Sequence, residues 1–310
     1  MFKLLKLKRI KIDLINKYLI NIKKYKNIIK FNIKKLLLII GPCSLNNIKE
    51  IIIYAKKIKK NFPNLNFLLR IYYEKPRSNI GWKGYIYDPY IDNSYCLIDS
   101  FYIIRRLLID LLKLKINIST ECLNFYFLNF FIDCILWICL GARTVLSQLH
   151  REYCSGIKNI IGIKNEISSN LLILKDSYKS IKNKHCYLNF LKKKMLFTKG
   201  NIYVQYVLRG GTIPNFSNFE LKKISKSIIV DCSHSNSMKN ALNQFFVFEN
   251  VYNQYKYLKT YINGIMLESY ENYGNQSINN LFVNKSITDS CINYNILYKI
   301  FNFIKNENLL

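Results

Sequence analysis

The chain alternates short apolar runs that stop abruptly with longer stretches of mixed polarity. Leu36–Ser44, LLLIIGPCS, sets the design: an apolar run of strand length halts at Gly-Pro and presents Cys43 beyond its end. Seven more runs follow, FLLRIYYEK from Phe67, NISTEC from Asn117, ILWICLGAR from Ile135 and IGIKN from Ile161, then YVQYVLRGG from Tyr203, SIIVDCSH from Ser227 and GIMLES from Gly264. Near-continuous apolarity is what a parallel strand covered on both faces requires. Most stretches between the runs can coil, as in Asn47–Lys60 and Asn240–Tyr261. Asn47 with Glu50 three residues later predicts a capping box, with Asn in the Ser/Thr role. Strand then helix, eight times over, is the count of a (β/α)8 TIM barrel. A doubly wound sheet fits less well, because no Gly-rich dinucleotide fingerprint follows any strand.

No internal repeat and no Pro/Gly/Ser-rich linker interrupts this alternation. One barrel domain is expected over residues 35–310, behind a short, basic, helical arm at 1–34. His185–Phe190 is an extra apolar run read as a surface hairpin, and Tyr294–Leu310 reads as a closing helix. With 50% hydrophobic residues in 310, a large core is available and global disorder is excluded. The formal charge of +28 would ordinarily point to nucleic acid or an anionic membrane. Here Lys, Ile, Asn and Tyr are abundant from end to end, so the excess reads as the compositional bias of an AT-rich genome, and no nucleic-acid partner is expected. Nine cysteines without a C-x-x-C pair argue against a disulfide framework or a zinc ribbon and suit a reducing, cytoplasmic setting. Lys recurs through the N-terminal segment, so no signal-peptide core forms. The greasiest window, Leu123–Leu140, carries Asn124, Asn129 and Asp133, which suits a buried helix running into a strand rather than a membrane span.

In a barrel of this kind, the C-terminal strand ends converge on one face. Those ends carry Cys43, Arg70 with Lys75 and Arg77, Glu121, Arg143, Lys164, Arg209, His234 and Glu268, with Asp289 in the loop after the eighth strand. Six basic groups around one mouth call for anionic guests, phosphate or carboxylate. Cys43, His234, Glu268 and Asp289 offer S, N and O ligands to a divalent cation. Taken singly, each has a plainer reading: a small buried cysteine, a hydrogen-bonded histidine, a salt-bridged arginine. Their joint placement at the strand ends of one barrel outweighs those readings. His150 and His185 stay in the structural class, His150 with some claim to line the site.

Glu74–Tyr95, EKPRSNIGWKGYIYDPYIDNSY, closely resembles the signature of class I 3-deoxy-D-arabino-heptulosonate 7-phosphate (DAHP) synthases, of the microbial type with Gly-Trp-Lys-Gly after Lys-Pro-Arg. It is joined in order by GPCS at Gly41, GARTVLSQLHREYCSGI at Gly141, GIKN at Gly162, LRGG at Leu208, DCSHSNS at Asp231, ESYENYGNQS at Glu268 and KSITD at Lys285. The resemblance implies condensation of phosphoenolpyruvate with erythrose 4-phosphate, at the entry to aromatic amino-acid biosynthesis. It implies one divalent metal ion (Mn, Fe, Co or Zn) on Cys43, His234, Glu268 and Asp289. Phosphoenolpyruvate would lie against Arg70, Lys75, Ala142, Arg143, Lys164 and Arg209, and the aldose phosphate against Arg77 and Ser78. Glu121 would be an acid near that pocket, and Lys75 the proton donor to the new alkoxide. A homo-oligomer, dimer or tetramer, is expected. The sister reaction with a pentose phosphate, that of 3-deoxy-octulosonate 8-phosphate synthase, is disfavoured by Lys-Pro-Arg followed by Gly-Trp-Lys-Gly.

Departures from the family pattern are Thr212 after LRGG and Glu166 after GIKN. The arm, the stretch Phe125–Asn129 and Lys158 also differ from the polar and proline residues that feedback-regulated members place around their amino-acid effector. Loss of feedback inhibition by Phe, Tyr or Trp is therefore expected.

Overall fold

The computed structural model describes residues 36–189, 194–224, 227–258, 261–279 and 281–306. The arm read at 1–34 lies outside the described residues. Eight strands pair side by side, all parallel: β1 (Leu37–Gly41), β2 (Phe67–Arg70), β3 (Asn117–Glu121), β4 (Trp137–Leu140), β5 (Ile160–Lys164), β8 (Val204–Leu208), β9 (Ile228–Asp231) and β10 (Ile262–Glu268). Their order, β1-β10-β9-β8-β5-β4-β3-β2, closes into a barrel. Each is followed by a helix: α1 (Ile48–Asn61), α2 (Leu97–Lys113), α3 (Phe125–Leu128), α4 (Gln148–Ser155), α5 (Leu171–Lys182), α6 (Asn218–Lys223), α7 (Asn243–Tyr257) and α8 (Tyr294–Asn306). The (β/α)8 count expected from the apolar runs is met.

Alternation along each strand divides the core in two. In β1, Leu37 and Ile39 point into the barrel, where Leu68, Tyr72, Trp137, Val207, Ile229 and Met266 meet them. Leu38 and Ile40 point outward against the helix layer. Both faces are covered, so all five β1 residues are buried, which explains the unbroken apolar run. Trp137 is the largest side chain inside, and its indole N–H donates to Gln205 at 2.9 Å. Gly162 on the adjacent strand leaves the room, since a Cβ there would fall 1.9 Å from the indole ring.

Three expectations need adjusting. The capping box at α1 is only half formed: Asn47 accepts the N–H groups of Lys49 and Glu50, but the Glu50 carboxylate does not return to Asn47. It accepts instead from the Tyr270 hydroxyl (3.0 Å) and the Asn284 N–H (2.6 Å), fastening α1 to the loop after β10. The hairpin is longer than His185–Phe190, with β6 (Cys186–Asn189) antiparallel to β7 (Lys194–Phe197). The window Leu123–Leu140 becomes the single turn α3, further turns and β4, and its Asp133 is taken by buried Arg105 of α2 (Nη2 to Oδ2, 2.6 Å). Among the described residues no helix is long and apolar enough to cross a membrane. All nine cysteines are free thiols.

Candidate active site

The strand-end residues converge as the fold requires. β1 delivers Cys43 through Gly41 and Pro42. Gly41 sits at φ +139°, and a Cβ there would press to 3.1 Å against the backbone N and Cβ of Arg70. Across from Cys43, β10 ends in Glu268, and the loop before α8 supplies Asp289. The donor atoms of Cys43, Glu268 and Asp289 all lie within 4.8 Å of one another. The Cys43 thiol donates to Asp289 Oδ2 and its sulfur accepts the Asp289 N–H, each at 3.3 Å. His234, just past β9, brings Nε2 to 4.0 Å from Glu268 Oε1, at the edge of the same cluster.

Two carboxylates and a sulfur gathered together, with an imidazole at their edge, form the mixed donor set of a borderline divalent ion. The cluster is unfavourable by itself. Burial, followed by the nearby Glu268 charge, pushes the Cys43 thiol up to about 12. Lys75 relieves part of this, its Nζ lying 3.0 Å from Cys43 Sγ and 4.0 Å from Asp289 Oδ2. Burial works against the Lys75 ammonium, but Cys43, Glu268 and Asp289 hold it above its usual range. The residues present therefore fit a divalent cation.

The basic residues fall into two groups. Arg70 is 1% exposed and paired with a buried carboxylate. Its Nη2 donates to Glu268 Oε1 at 2.8 Å, its Nε to Pro42 O at 3.3 Å, and its guanidinium lies 3.9 Å over the Tyr72 ring. The guanidinium read as a phosphoenolpyruvate ligand is thus anchored to a metal-ligand candidate. Lys164 pairs with fully buried Asp231 at 2.7 Å. Burial lowers the pKa of Lys164, yet Asp231 carries it above the ordinary lysine range. Burial also favours the neutral form of Asp231, but His234 and Lys164 hold its carboxyl well below the usual range.

Arg209 and Arg143 differ. Neither forms an ion pair among the described residues. The Arg209 guanidinium, only 8% exposed, donates to one backbone oxygen, Gly210 O at 3.4 Å. Burial pulls its pKa below the usual value despite Asp231, and the positive charge of Arg143 adds to that. Three buried asparagines fix its turn: Asn165 accepts the Arg209 N–H, Asn215 accepts the Gly210 N–H and Asn236 donates to Leu208 O. Gly210 is at φ +79°, and a Cβ would strike Asn236 N at 2.6 Å. Two near cations held without a counter-charge await a bound anion.

Glu121 at the end of β3 faces this ring, and the adjoining Gly141 must lack a side chain, because a Cβ would meet Glu121 Oε1 at 1.9 Å. Ala142 and Arg143 follow in the turn after β4. Arg77 and Ser78 are exposed on the loop after β2, with Arg77 Nε donating to Trp82 O at 2.8 Å. A cavity of about 470 Å³ opens there, lined by Glu74–Arg77, Lys83 and Leu123–Tyr126 among others. His150 does not serve the site: Nδ1 meets Ser147 Oγ and Nε2 meets Leu123 O, both at 2.8 Å. His185 likewise meets Ser180 O at 2.8 Å.

With this geometry in place, comparison with known proteins decides the family. Residues 17–300 match the model of the DAHP synthetase I family. The chain belongs to that family. A Trp-sensitive phospho-2-dehydro-3-deoxyheptonate aldolase of Buchnera aphidicola subsp. Baizongia pistaciae is 34% identical over 280 residues, covering 84% of this chain and 80% of that protein. The Phe-sensitive enzyme of Escherichia coli K12 is 33% identical over 286 residues, 86% of this chain and 82% of its own. A phospho-2-dehydro-3-deoxyheptonate aldolase structure from Francisella tularensis superposes with a TM-score of 0.84 at 33% identity, covering 96% of this chain and 92% of that one. DAHP synthetase I members are metal-dependent enzymes, which agrees with the Cys43, Glu268 and Asp289 cluster.

Sequence reasoning passed over three residues of the site. Asp231 and Ser233 stand inside the DCSHSNS motif but were not singled out. Glu74, buried beside Lys75, accepts the Asn124 N–H (3.2 Å) and the Tyr87 hydroxyl (3.4 Å), tying the β2 loop to the β3 loop. Asp231 had a signal, since it is the charged end of an otherwise apolar strand. Glu74 had none, because its partners are 13 and 50 residues away.

Proposed function

We propose that the barrel mouth carries the family reaction with the strand-end residues in distinct roles. The chain is a transferase that condenses phosphoenolpyruvate with erythrose 4-phosphate and water, giving DAHP and inorganic phosphate, in aromatic amino-acid biosynthesis. The observation that carries the assignment is Arg143 and Arg209, two cations without carboxylate partners, on the same rim as the sulfur–carboxylate cluster. Arg209 and Arg143 bind the phosphate of phosphoenolpyruvate, beside the Ala142 backbone. Lys164 and Arg70 face its carboxylate, each kept charged and oriented by a buried anion. Arg77 and Ser78 hold the aldose phosphate at the mouth of the 470 Å³ cavity.

Cys43, His234, Glu268 and Asp289 would hold the metal, which as a Lewis acid would make the aldehyde carbon more electrophilic. The methylene carbon of phosphoenolpyruvate attacks that carbon, and the aldehyde oxygen becomes an alkoxide. Lys75, reaching Cys43 and Asp289, gives the alkoxide its proton. Its raised pKa keeps that proton in place until a base as strong as an alkoxide develops. Water then adds to the phosphate-bearing carbon, which the attack left cationic, and gives up a proton; phosphate leaves as that carbon becomes the ketone. Glu121 lies within the cationic ring and is reached through water.

Phosphate release from phosphoenolpyruvate, with erythrose 4-phosphate and arabinose 5-phosphate compared, tests the reading. Release with the four-carbon sugar alone is expected, and preference for the pentose would overturn it. A homo-oligomer belongs to the same proposal. The β6–β7 hairpin exposes Leu188, Met195 and Phe197, apolar area that a second copy could cover. Light scattering should give a mass above the 36.8 kDa of one chain.

A further inference from the structure

The roles above leave Asp231 and Ser233 unexplained, although they form a tight polar cluster directly behind His234. Asp231 is fully buried, with the Lys164 ammonium 2.7 Å from Oδ2, and an ionised carboxylate can only accept hydrogens. Oδ1 receives both the N–H and the hydroxyl of Ser233, at 2.9 and 2.6 Å. A serine hydroxyl has one proton, and here the carboxylate takes it. Ser233 Oγ also lies 3.0 Å from His234 Nδ1, where it can then act only as an acceptor. Nδ1 must supply the hydrogen. Asp231 Oδ2, 2.8 Å from the same nitrogen, is a second neighbour, and its negative charge favours a proton there. Nε2 is left with a bare lone pair, and it is the nitrogen that faces Glu268 Oε1.

We propose that Ser233 and Asp231 are positioning residues that fix His234 as the Nδ1–H tautomer, so that Nε2 is offered to a divalent cation. Asp231 simultaneously serves as counter-charge to Lys164, so one buried carboxylate orients both a metal ligand and an anion-binding ammonium. Outer groups of this kind aim imidazole ligands and raise their basicity. The inference rests on His234 being a ligand and adds what directs it.

Ring nitrogen spectra of the ¹⁵N-labelled chain, taken well above the ordinary imidazole pKa of about 6.5, read the tautomer directly. The chain has only three histidines, and the signal lost in His234→Gln assigns the third. A proton on Nδ1 is expected. In Asp231→Asn the side-chain amide can donate to Ser233 Oγ, turning the hydroxyl toward Nδ1 and moving the ring proton to Nε2. Wrong-tautomer failures of this type are known where a carboxylate orients a catalytic histidine. Mn²⁺ binding to the metal-stripped, folded variant, measured as free ion by electron paramagnetic resonance, should weaken about 10- to 100-fold. A wild-type proton on Nε2, or a folded Asp231→Asn that binds Mn²⁺ as the wild type does, overturns the inference. If Asp231→Asn does not fold, the wild-type spectrum decides alone. A wild-type chain that takes up no Mn²⁺ overturns the metal reading and this role with it, whereas Mn²⁺ uptake with the proton on Nε2 overturns the inference only.

Discussion

At the scale of single residues, each charge at the barrel mouth is defined by its partner or by its lack of one. Among the described residues the Arg77 guanidinium bonds only Trp82 O, through Nε, and it lines the cavity, so Arg77→Ala should raise the KM for erythrose 4-phosphate far more than that for phosphoenolpyruvate. Losing one charge-assisted pair costs about 1.5–3 kcal/mol, roughly ten- to a hundredfold, and steady-state kinetics with each substrate varied would read it. Equal effects on both KM values would mean the pocket is misassigned. Cys43→Ala removes the one soft ligand, so metal content after purification, measured by mass spectrometry, should fall. Chelation of the wild type should abolish turnover and added Mn²⁺ restore it; full activity in a metal-free sample would refute this. Of the proposed metal ligands, Cys43 and Glu268 could be brought together from the sequence because strand ends converge in a barrel, and the structure sets Asp289 beside them. The Arg70–Glu268 and Lys164–Asp231 pairs were not legible there, since they join positions 198 and 67 residues apart, and no local pattern states which strand end faces which.

At the scale of elements, apolar runs identified every barrel strand, because burial on both faces leaves an unbroken signature. The loops were harder to read, since their stability comes from tertiary hydrogen bonds. Glu50 looked like a local cap and proved to be a cross-link between α1 and the β10 loop. Glu74 joins the β2 and β3 loops, and burial pushes its carboxyl up to about 8 from the usual 4.5, against the hydrogen bonds from Asn124 and Tyr87. The native state therefore keeps a proton that the unfolded chain has already released, and stability falls as pH rises from about 4.5 through 8. Denaturant titrations across that window should show the decline, and Glu74→Gln should flatten it. At α3, Phe125 stacks on Tyr153 (5.3 Å between ring centroids) and meets His150 edge-on, while Phe127 packs against Tyr87 and Phe101. This aromatic filling supports the proposal that feedback control has been lost. Turnover should be unaffected by millimolar Phe, Tyr or Trp, and saturable inhibition by any one of them would show that an effector site persists.

At the scale of the whole molecule, the charge of +28 and the chemistry of the mouth are separate matters. Diffuse surface lysines should bind duplex DNA weakly, without sequence preference, and release it at physiological salt. Filter binding across a salt series checks this, and a complex surviving such salt would revive a nucleic-acid role. Of the 47 basic residues only eight are arginines, and Arg70, Arg77, Arg143 and Arg209 surround the mouth. Mutational drift that converts arginine codons to lysine codons is harmless wherever a point charge in water suffices. It is not harmless where a planar fork must grip a carboxylate or a phosphate. In a chain so enriched in lysine, half of the few guanidinium groups lie on one rim of the barrel, where a fork rather than a point charge is needed.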